Sequence, residues 1–296
     1  MPQYFFYNGD WLPEGQPIIV SANRGFRYGD GLFETLCVAN GAIRLAGFHF
    51  ERLFAGLQQL QLQLPPHVDT TYLSAQIATL CRKNTHPTAR VRLTVFRGNG
   101  NLFDDPAATP PGILIESQPL TLPGSPFQTP GSGLPTPDSG LLTGIFPSAR
   151  KTADAFSHIK SNNYQASAMA ALHARANGLD DVFLLNAAGR VCESAIANVF
   201  ILRQGRAFTP PLTEGCVAGV MRRFMLEQLP AAGCPVEEMP VTVAHLLEAD
   251  EVFLTNALRL LRSVGRCDNT QYSTVRSAQL FEVLKGKWEN TGQLCG

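Results

Sequence analysis

The sequence predicts a two-domain α/β protein whose first domain is of the mixed α+β kind, and three observations support this fold class. The chain has 296 residues, of which 45% are hydrophobic, which is enough to bury two cores. The stretch 118–140, "QPLTLPGSPFQTPGSGLPTPDSG", is rich in Pro, Gly, Ser and Thr and has the composition of a connector. Strand and helix patterns occur on both sides of it. We therefore predict domains at 1–121 and 122–296.

The first domain is predicted to contain short strands, then two helices, then two paired strands. The runs "QYFFYNGDW", "PIIVSA" and "GLFETLCVANGAIRLAG" are typical of strands. The segments "FHFERLFAGLQQLQL" and "TTYLSAQIATLCRKN" have the apolar spacing of amphipathic helices. The segments "ARVRLTVFRG" and "GILIESQPL" predict the paired strands.

The second domain is predicted to begin with the strand "GLLTGIF", followed by a helix from about residue 163. The stretch "DDVFLLNAAGRVCESAIANVFIL" predicts further strands, with "NAAG" as a turn between two of them. "VAGVMRRFMLEQL" predicts a helix that opens after a glycine, and "HLLEADEVFLTNAL" a helix followed by a strand. "SAQLFEVLKGKW" predicts a closing helix.

Charge and cysteine content narrow the class of partner. Basic and acidic residues both number 24, so no net basic field attracts nucleic acid or an anionic membrane. The seven cysteines are scattered without a CxxC pair, which favours reduced thiols over a disulfide or zinc framework, and no metal site is predicted. The pattern of a secretory signal is lacking, and no run of eighteen apolar residues occurs. We expect a cytoplasmic protein that acts on small molecules.

Lys160 and Glu193 carry the chemically most useful side chains. Lys160 follows "FSHI" at a predicted strand end, where a half-buried amine is disfavoured as ammonium and can attack an aldehyde or ketone. Taken alone, a surface lysine near a helix start is the simpler interpretation. Glu193 in "RVCESAIANVF" is an acid in a segment suited to burial, and a buried acid needs a partner. A structural salt bridge to an arginine is the alternative to a functional role.

Two further segments carry hydrogen-bonding groups that suit a ligand. "EGCVAGVMRR" offers main-chain N–H groups at a predicted helix N-terminus, which bind phosphate well. "EVFLTNAL" ends a strand with Thr255 and Asn256, where open α/β sheets tend to hold ligands. An ordinary helix start and a strand-end cap explain these segments equally well on their own. "GNG" at 98–100 is a turn, because no GxGxxG pattern opens a helix there.

The order of these features resembles the class IV aminotransferases, which are fold-type IV enzymes that use pyridoxal 5'-phosphate (PLP). "RGFRYGDGLFET" and "HFERL" are similar to the family's first domain, and "ES(x)3NVF" and "AGVMR" follow in family order. The resemblance covers nearly the whole chain. It implies a two-domain architecture of the D-amino-acid aminotransferase type, PLP as cofactor, and a homodimer whose sites are completed by the neighbouring subunit.

The resemblance assigns three residues to the centre of the chemistry. Lys160 corresponds to the Schiff-base lysine, and Glu193 to the acid that pairs with the protonated pyridine nitrogen. Arg52 of "HFERL" corresponds to the phosphate-binding arginine, whose planar fork suits phosphate oxygens. The freed lysine would move a proton between the substrate Cα and the cofactor's C4′.

The remaining implied cofactor contacts lie in the second domain. The amides of Val220 and Met221 would complete the phosphate site with Thr255 and Asn256. Met221 stands where several members have threonine, so only its main chain is expected to contribute. Tyr164 falls near a tyrosine that some members direct at the cofactor's phenolic oxygen, one residue closer to the lysine than in the branched-chain enzymes.

The resemblance leaves the substrate open. "NYQAS" is similar to the branched-chain aminotransferases and "IKSNN" to the D-amino-acid aminotransferases, whereas "AGVMRRF" and "DEVFLTNAL" are similar to aminodeoxychorismate lyase. Arg97 in "VFRG" matches an arginine that binds substrate carboxylate in the D-amino-acid and lyase branches, and Tyr28 is a second implied substrate contact. We predict an amino-acid aminotransferase. The alternatives are aminodeoxychorismate lyase, which forms 4-aminobenzoate and pyruvate for folate synthesis, and a PLP-binding homologue without turnover.

Aromatic residues of the first domain also favour a homodimer. Tyr4, Phe5, Phe6, Phe26 and Phe33 exceed what one small core needs, and a surplus of this kind is typical of an obligate interface. Packing inside the domain itself is the alternative explanation.

Overall fold

The computed structural model of the chain describes residues 3–105, 110–122 and 140–294. They form two units: one holds the described residues up to 122 together with 159–163 and 288–294, and the other holds 140–158 and 164–287. The mixture of helices and strands confirms the predicted fold class. Most of the predicted connector lies outside the described residues, and the boundary at 121 and 122 stays a prediction.

The described residues contain seventeen strands and seven α-helices. In chain order the strands are β1 (Tyr4–Tyr7), β2 (Asp10–Pro13), β3 (Gly31–Ala39), β4 (Ala42–Ile43), β5 (Thr88–Phe96), β6 (Gly112–Pro119), β7 (Leu141–Lys151), β8 (Asp181–Asn186), β9 (Arg190–Ser194), β10 (Asn198–Arg203), β11 (Arg206–Thr209), β12 (Val236–Glu238), β13 (Val241–Thr242), β14 (Glu251–Asn256), β15 (Leu260–Cys267), β16 (Thr270–Gln271) and β17 (Gln293–Leu294). The helices are α1 (Arg24–Tyr28), α2 (Ala46–Gln59), α3 (Thr70–Lys83), α4 (Gln165–Ala176), α5 (Val220–Gln228), α6 (Val243–Leu247) and α7 (Val275–Glu289).

The first unit is built on an antiparallel sheet in the order β17-β4-β3-β5-β6-β1-β2. β5 pairs along its whole length with β3 and along most of it with β6, which confirms the predicted pairing of "ARVRLTVFRG" with "GILIESQPL". The amphipathic helices α2 and α3 bury their apolar faces against the sheet. Fully buried side chains from both layers form the core of this unit: Leu36, Leu53, Leu73, Ile77 and Leu93.

The second unit is built on a mixed sheet in the order β12-β11-β10-β14-β15-β7-β8-β9-β13, with β16 paired to β15. β7 runs parallel to both of its neighbours, and α4 provides the crossover from β7 to β8. α5 begins after Gly219, as predicted, and packs against β14. Phe200 and Phe253 stack with ring centroids 5.1 Å apart on neighbouring strands. The "NAAG" turn lies between β8 and β9, as predicted.

One predicted strand is wrong. The segment "PIIVSA" at 17–22 forms no strand, and the side chains of Ile19 and Val20 are 41% and 54% exposed. Pro17 has no N–H to donate to a ladder, which weakens any pairing at this point. The short helix α1 follows instead, where Asn23 Oδ1 accepts from the N–H of Phe26 at its first turn.

The cysteines that the structure describes are free and buried: Cys37, Cys81, Cys192, Cys216, Cys234 and Cys267. Burial raises the pKa of Cys37, Cys192 and Cys216 to about 12, so these thiols stay protonated. Within 3–105, 110–122 and 140–294, the helices are all too short or too polar to cross a bilayer.

A buried aspartate ties the start of β8 to the end of β9. Asp181 is 5% exposed and accepts the Ser194 hydroxyl at 2.7 Å, the N–H of Val182 at 2.8 Å and the N–H of Ala195 at 3.0 Å. Burial raises its pKa to about 6, because these neutral donors and the charge of Arg262 offset only part of the desolvation.

We expect the free energy of unfolding to depend on pH through Asp181. Its folded-state pKa of about 6 exceeds the ordinary value of 3.8, so the folded protein holds the proton more tightly. Stability is therefore lost as pH rises from about 4 to about 6, by up to about 3 kcal/mol. Urea unfolding of the wild type and of Asp181→Asn across this range measures the effect, and the variant should lose this slope. The control Asp180→Asn alters an exposed neighbour and should keep it. A slope that survives in Asp181→Asn would contradict the assignment.

Candidate functional site

Lys160 lies in an irregular segment of the chain. The expectation that it ends a strand is wrong, because β7 already ends at Lys151. Lys151 is paired with Asn186, the last residue of β8, so the ladder has no further partner beyond this point. The chain then turns through irregular structure until α4 begins at Gln165.

Main-chain hydrogen bonds fix Lys160 at the start of β3. Phe33 N–H donates to the carbonyl of Lys160 at 2.9 Å, and Asn162 N–H donates to the carbonyl of Gly31 at 2.8 Å. Gly31 permits this approach, because a Cβ there would lie 2.6 Å from Asn162 Nδ2 and 2.5 Å from the carbonyl oxygen of Val95. The lysine is thus positioned by backbone contacts with a long strand.

The side chain of Lys160 lies over an aromatic ring. Its Nζ is 4.3 Å from the ring centroid of Phe33, and the guanidinium carbon of Arg92 is 3.7 Å from the same centroid. Phe33 is 3% exposed, so its ring is a fixed apolar surface against which both side chains lie. None of the sequence motifs indicates a role for Arg92. The available signal was its place as a charged residue within the apolar strand β5.

Glu34, His49 and Arg52 form a buried charge cluster in the first unit. Arg52 binds the Glu34 carboxylate with two nitrogens, Nε at 2.8 Å from Oε1 and Nη2 at 2.5 Å from Oε2. His49 Nδ1 lies 2.6 Å from Glu34 Oε2. Glu34 is on β3, whereas His49 and Arg52 are one turn apart on α2. The cluster therefore fixes the arginine that the family resemblance assigns to phosphate binding.

Burial and the neighbouring charges shift the pKa values of Glu34 and His49. Burial alone would raise the pKa of Glu34, but the charge of Arg52 and the hydrogen bonds from His49 and Arg52 lower it to about 2. Burial lowers the pKa of His49, with Glu34 opposing and the charges of Arg52 and Lys160 adding to the decrease. With Glu34 ionised, His49 donates from Nδ1. Its Nε2 is buried and has no hydrogen-bond partner within the described part of the chain.

Arg97 and Tyr28 lie on the first unit in very different environments. Arg97 is 5% exposed, and its Nε contacts Asp30 at 2.8 Å. Its other two nitrogens donate to the carbonyls of Leu60 at 2.6 Å and Gln61 at 3.1 Å. A substrate carboxylate would have to share these nitrogens, and the substrate-binding role of Arg97 stays a prediction. Tyr28 ends α1 and is 47% exposed, and its role also stays a prediction.

Glu193 is buried on β9 with both carboxylate oxygens engaged. Oε1 forms an ion pair with Lys151 Nζ, and Oε2 accepts the N–H of Val217 at 2.9 Å. Glu193 is 5% exposed. The structural partner that the sequence suggested as an arginine is thus a lysine from β7. Tyr164, at the start of α4, donates from its hydroxyl to the carbonyl of Ala195 at 3.4 Å, two residues beyond the acid.

The start of α5 and the end of β14 lie together in the second unit. Thr255 is opposite Asn198 in the sheet, and the Asn198 side chain donates to the carbonyl of Val217, just before α5. Thr255 is 1% exposed, and its hydroxyl has no hydrogen-bond partner among the residues that the structure describes. Val220 and Met221 open α5, where main-chain N–H groups have no acceptor inside the helix.

Asn256 has a structural task of its own. Its side-chain oxygen accepts the N–H groups of Leu258 at 3.1 Å and Arg259 at 3.0 Å, which closes the turn between β14 and β15. The strand-end cap that the sequence left open as an alternative therefore applies to this residue.

Comparison with known proteins places these features in a family. The chain matches the family model described as amino-transferase class IV over residues 31–267. It is 27% identical over 288 residues to a putative branched-chain-amino-acid aminotransferase of Methanocaldococcus jannaschii, which covers 96% of this chain and 95% of that protein. It is 31% identical over 254 residues to an aminodeoxychorismate lyase of Vibrio harveyi, which covers 86% of this chain and 88% of that protein.

The fold resembles a solved structure throughout. The branched-chain aminotransferase of Thermoproteus uzoniensis, crystallised with norvaline, superposes with a TM-score of 0.84 at 22% identity and covers 100% of both chains. This confirms the fold-type IV architecture. The family model spans most of the chain, and enzymes of the family depend on PLP. The protein is therefore a PLP-dependent enzyme that belongs to the class IV aminotransferase family.

Proposed function

We propose that the protein is an aminotransferase that moves an amino group between an amino acid and a 2-keto acid, with Lys160 carrying the cofactor. The observation that supports this is the arrangement on Phe33, where the Lys160 amine and the Arg92 guanidinium contact the same buried ring. A nucleophilic amine with a nearby guanidinium suits a substrate that has both an amino group and a carboxylate.

The residues of the second unit fit the phosphate of PLP. The buried hydroxyl of Thr255 lacks a partner, and leaving a buried donor unpaired costs about 1–3 kcal/mol. A phosphate oxygen would satisfy it, and the N-terminal amides of α5 at Val220 and Met221 favour an anion. We assign these three residues and Arg52 to the phosphate. Asn256 already uses its oxygen in a turn, so its contribution would come from its NH₂ group.

When bound, PLP supplies a ring that withdraws electrons from the substrate Cα. With PLP bound, the amine of Lys160 would take the proton from Cα and return it at C4′. The ionised carboxylate of Glu193 would keep the ring nitrogen protonated, because a carboxylate favours the cationic form of its partner. Tyr164, whose hydroxyl reaches the main chain beside Glu193, is the proposed contact to the phenolic oxygen. Arg92 binds the substrate carboxylate.

Aminodeoxychorismate lyase is the alternative function. The Vibrio harveyi lyase is more identical to this chain than the Methanocaldococcus jannaschii relative, although it covers less of it. Proton removal from Cα by Lys160 serves both reactions, so the same core residues suit either. The third alternative, a non-catalytic PLP-binding homologue, does not agree with membership of this enzyme family or with the retention of Lys160, Glu193 and Arg52.

We also propose a cytoplasmic homodimer. Two of the five aromatic residues from which a dimer was expected, Phe6 and Phe33, are buried, as expected for packing inside the protein. Other apolar side chains of the first unit are exposed, which supports an interface. They are Ile19, Val20, Phe26, Leu102 and Phe103, of which Phe103 is 96% exposed.

Borohydride reduction tests the covalent role of Lys160. We expect reduction of the holoenzyme followed by peptide mapping to place the pyridoxyl group on Lys160, because this amine is the one held beside Phe33. The Lys160→Ala variant is the control and should carry no label. A pyridoxyl group on Lys151 would contradict the site assignment.

Product analysis separates the alternative functions. The enzyme is incubated with a panel of amino acids plus 2-oxoglutarate, and separately with aminodeoxychorismate. An aminotransferase yields glutamate and a new keto acid, whereas the lyase yields 4-aminobenzoate and pyruvate. Lys160→Ala should lower the observed rate by about 10²–10⁴-fold or more, because general acid–base help of this size is lost. Formation of 4-aminobenzoate without amino transfer would refute the proposal in favour of the lyase.

Sedimentation equilibrium tests the assembly. At low micromolar concentration we expect a species of twice the chain mass of 32.1 kDa, because burial of the exposed apolar residues of the first unit would stabilise an interface. Phe103→Ser with Phe26→Ser should weaken association, whereas the control Tyr272→Phe, in the second unit, should not. A monomer that turns over substrate would rule out an obligate dimer.

A further inference from the structure

Lys151 is a second lysine with a defined electrostatic partner. It is the last residue of β7, and its Nζ forms an ion pair with Glu193 Oε1 on β9, with β8 between the two strands. The side chains are 15% and 7% exposed, so solvent screens the pair only weakly. No role for Lys151 follows from the proton transfers described above.

The pairing is selective among the nearby carboxylates. The charge of Glu214 affects the pKa of the Cys192 thiol, and so do the charges of Lys151 and Glu193. Glu214, however, is bound by Arg190 through two nitrogens, at 2.6 Å and 2.9 Å, and by Asn186 Nδ2 at 2.7 Å. Its charge is already compensated. Lys151 therefore supplies the cation for Glu193.

Apart from Lys151, the hydrogen-bond partner of Glu193 is neutral, although the charges of Glu214 and Arg222 also act on the neighbouring thiols. Its second oxygen accepts one main-chain N–H, from Val217, and the neighbouring thiols of Cys192 and Cys216 stay protonated because burial raises their pKa to about 12. A buried carboxylate without a cation tends to take up a proton. A protonated acid no longer favours the cationic form of a ring nitrogen.

We propose that Lys151 is a positioning residue that keeps Glu193 ionised and fixes its carboxylate, so that the ring nitrogen of PLP stays protonated. The inference rests on the proposed role of Glu193. It also explains why the Schiff base belongs to the other lysine, since an ammonium held in an ion pair has no lone pair with which to attack an aldehyde.

The test is nitrogen NMR of the holoenzyme reconstituted with PLP that carries ¹⁵N in its ring. In the wild type we expect the shift of a protonated ring nitrogen across neutral pH. In Lys151→Met the shift should move toward the unprotonated value, and kcat should fall about tenfold or more, the scale on which an outer-shell partner acts. Lys151→Arg restores the cation and should restore the shift. Where Lys151→Met does not fold, Lys151→Gln removes the charge and keeps a donor, and the same displacement is expected.

Two further variants make the result decisive. Arg150→Met removes a neighbouring exposed cation that donates to the carbonyls of Pro147 and Ala149, and it should leave the ¹⁵N shift unchanged. Glu193→Gln should displace the shift and lose most turnover while keeping cofactor. A native shift in Lys151→Met or Lys151→Gln, with a displaced shift in Glu193→Gln, overturns the role of Lys151 alone. A native shift in Glu193→Gln overturns the role of Glu193 and the inference with it.

Discussion

Two main-chain hydrogen bonds determine where the proposed catalytic amine lies. They join the carbonyl of Lys160 to the N–H of Phe33, and the N–H of Asn162 to the carbonyl of Gly31. A lysine side chain keeps its four rotatable bonds, so holding the backbone of Lys160 against a long strand limits the region that the amine can reach. The glycine at 31 is needed for this approach, and Phe33, the residue that anchors the backbone, also provides the ring against which the amine rests.

The buried acids show three ways to manage a carboxylate inside the protein. Glu34 has a cationic partner in the same cluster, and its pKa falls to about 2. Glu251 accepts hydroxyl and main-chain donors at the first turn of α7, and its pKa also falls despite burial. Asp181 has three neutral donors, and its pKa rises to about 6 because burial outweighs them. Glu193 has one main-chain donor, the N–H of Val217, and like Glu34 it has a cationic partner, which is Lys151.

The sequence predicted features that depend on local pattern better than those that depend on distant contacts. The long strands β3 and β5, the helices α2 and α3 and the opening of α5 follow from apolar spacing or from a preceding glycine, and all of them form. "PIIVSA" also has a strand pattern, but it pairs with no strand in the part of the chain that the structure describes. The end of β7 could not be predicted, because it is set by where β8 stops. Likewise, the roles proposed for Lys151 and Arg92 depend on their contacts with Glu193 and Phe33, which lie far away in sequence.

The similarity of this chain both to aminotransferases and to a lyase has a physical basis. Each reaction needs an amine that moves the Cα proton, an acid that holds the ring nitrogen protonated and donors for a phosphate, and none of these demands distinguishes the substrates. Discrimination between substrates must come from side chains that contact the substrate beyond Cα. In the first unit these candidates are Arg92, which shares a ring with Lys160, and Arg97, whose nitrogens are already bound to Asp30 and two carbonyls. A new carboxylate at Arg97 would have to displace or share buried hydrogen bonds, and one at Arg92 would approach a guanidinium that lies on an apolar ring and donates from Nε to the Thr94 hydroxyl.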